Sequence, residues 1–148
     1  MRNMKNSVAA IVLASLLTPT IASAQLTDAL IVAASKSPSK KPEMLQALVK
    51  GHVVIIATWT SGASRSIKVQ DFMRNGKSLI PIFSDQQHFK DETKGSGFES
   101  KGVSIDANML ASIIKGDETF VLNPGSKTPV DIHAKELKAL IEASRLPK

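Results

Sequence analysis

The segment His52 to Trp59, HVVIIATW, constrains the fold more than any other stretch. β-Branched residues dominate it, polar and apolar positions do not alternate, and an aromatic closes it. A strand of that kind is buried on both faces, so its sheet needs a covering layer on each side. The remaining chain has to supply further strands together with helices that each bear one apolar stripe.

It does so in short alternating units. Leu26, Leu30, Ile31 and Ala34 share one helical stripe, with Thr27 or Asp28 placed to cap it. Ser35 to Lys41 reads as a loop around Pro38. Pro42 then suits the first turn of a second helix, whose stripe is Met44, Leu45 and Leu48, and Gly51 stands where a left-handed cap belongs. After a polar turn from Thr60 to Ser66, Ile67 to Phe72 alternates as a strand with one wet face. Asn75-Gly76 is a hairpin signal, because both residues tolerate positive φ. Lys77 to Phe83 is the return strand, and Pro81, lacking a donor, is expected at an edge or a bulge.

Three later positions carry helix starts. Ser84 with Gln87 fits a capping box, Ile105, Asp106 and Leu110 fit a hydrophobic staple, and Ile132, His133, Glu136 and Leu137 repeat that pattern. A strand is expected over Gly97 to Ile105, and Gly116 is expected to end the helix containing Met109, Leu110, Ile113 and Ile114. Thr119 to Leu122 reads as a short strand, and Lys90 to Ser96 as a flexible segment. The alternation predicts an α/β (α+β) fold, one mixed sheet covered by helices in a single domain.

The N-terminus is a separate matter. Arg2 and Lys5 precede an almost wholly apolar run from Ser7 to Ile21, and Ala22-Ser23-Ala24 supplies the small-x-small pattern of signal-peptidase cleavage. The run is short for a membrane span and contains Pro19. Residues 1–24 therefore read as a signal peptide, and the mature domain, 25–148, is expected in the periplasm or outside the cell without stable membrane insertion. Cleavage leaves 124 of the 148 residues and lowers the net charge from +6 to +4. Its lysines are scattered and not interleaved with aromatics, which argues against a nucleic-acid surface. With no cysteine, the chain has no disulfide, thiolate metal site or cysteine nucleophile.

Two motifs carry a family resemblance. Ile80-Pro81-Ile82-Phe83-Ser84, after the Asn75-Gly76 hairpin, is similar to the "VPVFTS" junction of the SseB N-terminal domain, named for enhanced serine sensitivity. Phe120 to Ser126, FVLNPGS, resembles that family's "lvLNPGS" segment and is followed by a capped helix bearing Glu136. The order of elements from Leu26 onward extends the resemblance over the mature chain. It implies a fold, and a domain of uncertain biochemical role. Family members are usually cytosolic, whereas this chain opens on an export signal.

Chemistry is sparse. Asp85 and His88 share a helical face and, with Asp91 and Glu92, offer oxygen and nitrogen ligands, but at no established metal spacing. Ser61-Gly62-Ala63-Ser64 is no nucleophile elbow, although His133 beside Asp131 can be imagined orienting a serine. Without a G-x-G-x-x-G or Walker loop, no nucleotide cofactor is expected. The turn Asn123, Pro124, Gly125, Ser126, Lys127 exposes backbone N–H groups beside a cation, as an anion nest would. Trp59 is the sole tryptophan and ends a strand next to a polar loop. The expected function is that of an exported, non-enzymatic protein- or peptide-binding module. Its surface is expected at Trp59, Asn123, Gly125, Ser126 and Lys127 with the segment Lys90 to Ser96. The alternatives are a small hydrolase or metal-dependent enzyme using His88 or His133 with nearby carboxylates, and an anion-binding module at the Asn123–Lys127 loop.

Overall fold

A computed structural model describes residues 25–63 and 66–147. The signal peptide read over residues 1–24, and Ser64, lie outside the described residues. The elements are α1 (Asp28–Lys36), α2 (Lys41–Lys50), β1 (His52–Thr60), β2 (Ser66–Val69), β3 (Phe72–Arg74), β4 (Lys77–Phe83), α3 (Gln86–Thr93), β5 (Gly102–Asp106), α4 (Ala107–Ser112), β6 (Thr119–Leu122), β7 (Val130–His133) and α5 (Ala134–Ser144).

The seven strands form one mixed sheet, ordered β2-β1-β4-β6-β7, with β5 on the other edge of β1 and β3 on β4. β4 and β6 are parallel, joined by a crossover through α3, β5 and α4, while the other pairings are antiparallel. β1 is buried on both faces as its composition demands. Val53, Ile55 and Ala57 point into the main core, and Val54 and Ile56 into a second cluster with Phe83 and Phe89. Helices α1, α2, α4 and α5 cover the first face, contributing Ile31, Met44, Leu48, Leu110, Leu137 and Ile141. The second face is covered by α3 and the segment reaching Phe98. Among the described residues no helix is long and apolar enough to cross a membrane.

Several local features differ from the expectations. The run Ile67 to Phe72 is not one strand: β2 pairs with β1, the ladder breaks at Gln70-Asp71, and β3 pairs with β4. β1 and β4 pair only at Val54↔Phe83 and Ile55↔Ile82, so the intervening segment must pass from one partner to the other. Pro81 sits in an interior strand instead of at an edge. It falls beyond the short β1–β4 ladder, where the Ile56 carbonyl accepts instead from the Gln70 N–H at 2.8 Å. Gly51 is extended, with φ −115° and ψ −153°, because the chain runs straight into β1.

The stretch Ser35 to Lys41 is the end of α1 followed by a 3-10 turn, Pro38–Lys40, and not an irregular loop. β5 starts at Gly102, not Gly97. α4 ends at Ser112, before Gly116, where Glu118 takes the Lys115 and Gly116 N–H groups at 2.9 and 2.8 Å. Strand β7, Val130–His133, leads directly into the helix expected from the His133 cap and was not itself expected; Val130 and Ile132 alternate inward against β6. His133 does take the N-cap position of α5, but its side chain makes no capping bond.

Candidate functional site

The parallel pair β4–β6 brings two chain reversals side by side, since Ile82 lies opposite Leu122. Asn123 follows β6 at φ 49°, a left-handed conformation that asparagine tolerates better than most residues. Its N–H donates to the Ile82 carbonyl at 2.8 Å, its Oδ1 accepts from the Ser84 N–H at 2.9 Å, and its Nδ2 donates to Ser84 Oγ at 3.0 Å. Asn123 is 1% exposed, so it cannot belong to a contact surface; it pins the end of β6 to the start of α3. The capping box read at Ser84 shifts by one residue for the same reason. With Ser84 Oγ engaged by Asn123, Asp85 becomes the N-cap and accepts from the His88 N–H at 2.8 Å.

The turn that follows does not offer the expected anion nest, because the chain satisfies its N–H groups from within: Asn123 and Ser126 donate to the Ile82 and Asn123 carbonyls. The Gly125 N–H donates to Glu92 Oε2 at 2.9 Å, while Ser126 Oγ donates to the Asn123 carbonyl at 2.7 Å. An external anion thus finds the Gly125 donor occupied, and Lys127 remains as an exposed cation. Glu92 can reach it because Lys90–Thr93 is helical, not flexible: Phe89 and Thr93 are buried and fix that turn of α3. Burial pushes the Glu92 carboxyl above its ordinary value, with Asp85 and Asp91 adding to the shift and the Gly125 N–H and His88 opposing it. Its Oε1 is buried with no hydrogen-bond partner among the described residues.

Glu92 lines a cleft of about 320 Å³ in the thinly covered face of the sheet. Ile56, Leu79, Pro81 and Val121 are among its lining residues, with Phe83 and Phe98 beside α3 and Phe72 opposite. Phe72 and Phe98 meet edge to face with centroids 5.8 Å apart. Phe72 is 41% exposed although it is a large aromatic.

Trp59 lies elsewhere. It is 56% exposed, but it alternates with Val53, Ile55 and Ala57 and so belongs to the opposite face. By the β1–β4 register it stands about five residues along the sheet from Phe83, roughly 16 Å at 3.3 Å per residue. The structure therefore brings Lys90–Ser96 and Gly125–Lys127 together and leaves Trp59 out.

The histidine candidates also resolve differently. His88 Nδ1 lies 2.9 Å from Asp85 Oδ2, and its Nε2 lies 3.4 Å from Asp28 Oδ1 on α1. Asp28 joins this cluster, while Asp91 accepts from Gln87 and Glu92 turns to Gly125. Ser84 Oγ is 3.2 Å from the same Nδ1, but a nitrogen that donates to Asp85 cannot also accept a proton from the serine. Asp131 pairs with Arg74 at 3.1 Å instead of orienting His133.

The arrangement around His88 suits an imidazolium bridging α1 and α3. Burial opposes the charge, yet the hydrogen bond and charge of Asp85, helped by Asp28 and Glu92, raise the His88 pKa above its ordinary 6.5. Burial likewise opposes the Asp85 anion, but bonds from the His88 N–H and ring hold its pKa below 3.8. The His88 contribution is complete below pH 6.5 and is lost as pH rises through its folded pKa. The Asp85 contribution is present above pH 3.8 and is lost as pH falls through its own. Wild type is expected to lose about 0.5–1 kcal/mol on the alkaline side of this window, after allowance for solvent screening. Urea unfolding at a series of pH values should show that limb flattened in His88→Gln. An unchanged limb would show that His88 does not bridge the helices.

Asp28 and Phe72 were missed as site residues, and Glu92 was read only as a metal-ligand candidate and as part of Lys90–Ser96, not as the partner of Gly125. Glu92 meets Gly125 across 33 positions of sequence, a contact that no local motif announces. No match was found among curated proteins or among solved structures. The family model of the SseB protein N-terminal domain matches residues 26–139, which spans every strand and reaches into α5, and the chain belongs to that family.

Proposed function

We propose that this domain is an exported, non-enzymatic binding module that takes a protein or peptide segment through the apolar cleft beside α3. The observation that supports this most directly is the uneven covering of the sheet. Four helices bury one face, while α3 leaves Leu79, Pro81 and Val121 lining an open cleft on the other. Apolar surface of this kind gains from being covered, and an aromatic at its mouth is a common anchor. The polar groups alongside support binding over catalysis, because Ser84, Asn123 and Glu92 are each spent on holding the two reversals together.

The test is selection of peptides from a random display library with residues 25–148, the mature mass being checked on protein recovered from the envelope. Selected peptides should bind Phe72→Asp at least tenfold more weakly, an estimate from losing one aromatic anchor, and bind Trp59→Ala unchanged. Phe72 is exposed enough for the variant to keep its fold, which a melting curve checks. Weakening by Trp59→Ala with Phe72→Asp unaffected would place binding on the other face and refute the cleft, as would failure to enrich any peptide.

A further inference from the structure

At its β1 end the apolar cleft runs into a polar hollow. Ile56 lines the cleft and also lines this smaller space of about 200 Å³, together with Thr58, Gln70, Lys68 and Lys101. Ile56 and Thr58 stand two residues apart on one face of β1. Lys68 lies opposite Thr58 on β2, and on the other side of β1 the Lys101 carbonyl accepts from the Ala57 N–H at 2.9 Å. Two exposed lysines therefore flank one position of the strand. Neither forms an ion pair among the described residues. The Lys101 ammonium lies 5.5 Å from the ring centroid of Phe98, which is a wall of the cleft.

The neighbouring carboxylates are already engaged. Glu99 turns to the Gly95 N–H, Asp131 pairs with Arg74, and Glu92 has one oxygen on Gly125 and the other buried. Glu92 also belongs to the far end of the cleft, since β4 separates β1 from β6 and its Gly125 turn by roughly 10 Å, two strand spacings. An apolar slot thus adjoins a positive rim that the chain leaves uncompensated. A lone anion would leave the apolar walls bare, and a neutral apolar segment would leave the lysines unpaired.

We infer that the occupant of the cleft is an extended segment of a partner protein, with a large apolar side chain in the cleft and a carboxylate side chain two residues away between Lys68 and Lys101. This inference rests on the reading of the cleft as a peptide site. The spacing follows from β1 itself. Side chains at i and i+2 of an extended chain share a face roughly 6.6 Å apart, which matches Ile56 and Thr58 beneath them.

The test titrates residues 25–148 at neutral pH and low salt with two capped peptides, Gly-Phe-Ser-Asp-Gly and Gly-Phe-Ser-Asn-Gly, while the Lys68 and Phe98 amide resonances are followed by NMR. The Asp peptide should bind roughly fivefold more tightly, the scale of two exposed ion pairs, and added salt should erase the difference. The double variant Lys68→Gln, Lys101→Gln should abolish the preference and leave the Asn peptide unaffected; a melting curve checks its fold. Equal affinity for the two peptides, a preference that survives in the double variant, or failure of the Asp peptide to bind would overturn the inference. So would equal binding of Gly-Ala-Ser-Asp-Gly, which would make the lysines a general anion site. If the Asp and Asn peptides bind equally and both weaken in Phe72→Asp, the cleft still takes a peptide and only the charge preference is lost, so the two readings fail separately.

Discussion

Replacing Asn123 by alanine is expected to lower the unfolding free energy by about 2–5 kcal/mol. Two independent costs combine. Alanine at φ 49° meets the steric penalty of the left-handed region, roughly 1–2 kcal/mol. The Ser84 N–H then loses its acceptor in a part-buried place, at about 1–3 kcal/mol. Asn123→Gly separates the two, since glycine relieves the backbone cost and leaves the hydrogen-bond cost. Urea denaturation of the three proteins should rank wild type above Asn123→Gly above Asn123→Ala. An alanine variant within experimental error of wild type would show that this residue does not pin β6 to α3. The same substitution should expose the Gly125 amide to hydrogen exchange, because the turn that presents it to Glu92 begins at Asn123.

Gly102→Ala should destabilise by about 1–3 kcal/mol through overpacking. A Cβ at Gly102 would stand 2.6 Å from Phe89 Cε1 and 2.8 Å from its Cζ. Phe89 cannot easily retreat, because it is buried and its ring packs edge to face on Phe83 at 5.4 Å. Relief of the strain would require α3, which carries Phe89, to shift away from β5, and Glu92 on the same helix would shift with it. The double variant Gly102→Ala, Phe89→Leu should recover part of the loss by freeing space at the ring's edge. Chemical unfolding of the four proteins gives the coupling directly, and strictly additive losses would contradict the clash.

Much of the fold could be read locally. Thr27 caps α1 as expected, with its hydroxyl accepting from Leu30, and Asp106 caps α4 through Met109. Asn75 and Gly76 both adopt positive φ, at 52° and 75°, and close the β3–β4 hairpin. These features depend on neighbours a few residues apart. β7 was overlooked because Ile132 was read only as the residue flanking the His133 cap, whereas pairing with β6 makes it the end of an inward-facing strand as well. Lys90 to Ser96 looked mobile because its charges are conspicuous and its burial depends on Phe89 and Thr93 meeting the far side of the sheet.

The site was legible in part. The Asn-Pro-Gly-Ser turn was singled out, and it is where two reversals meet. Its role was inverted, since Asn123 is buried and Gly125 is satisfied from within. Trp59 was grouped with that turn because it is the sole tryptophan and ends a strand beside a polar loop. Alternation and register place it on the opposite face, toward the other end of the sheet.

The amino-acid order alone therefore determined the two-sided burial of β1, the Thr27 and Asp106 caps, the hairpin and the sheet-and-helix class, because hydrophobic periodicity and backbone preference act over a few residues. Tertiary structure decided which charged groups meet: Glu92 with Gly125, and His88 with Asp28. Those encounters follow from the parallel β4–β6 crossover and the docking of α3, which bring distant positions within hydrogen-bond reach. Side-chain identity states what each group is able to do, but its partner is set by packing that no short stretch of sequence encodes.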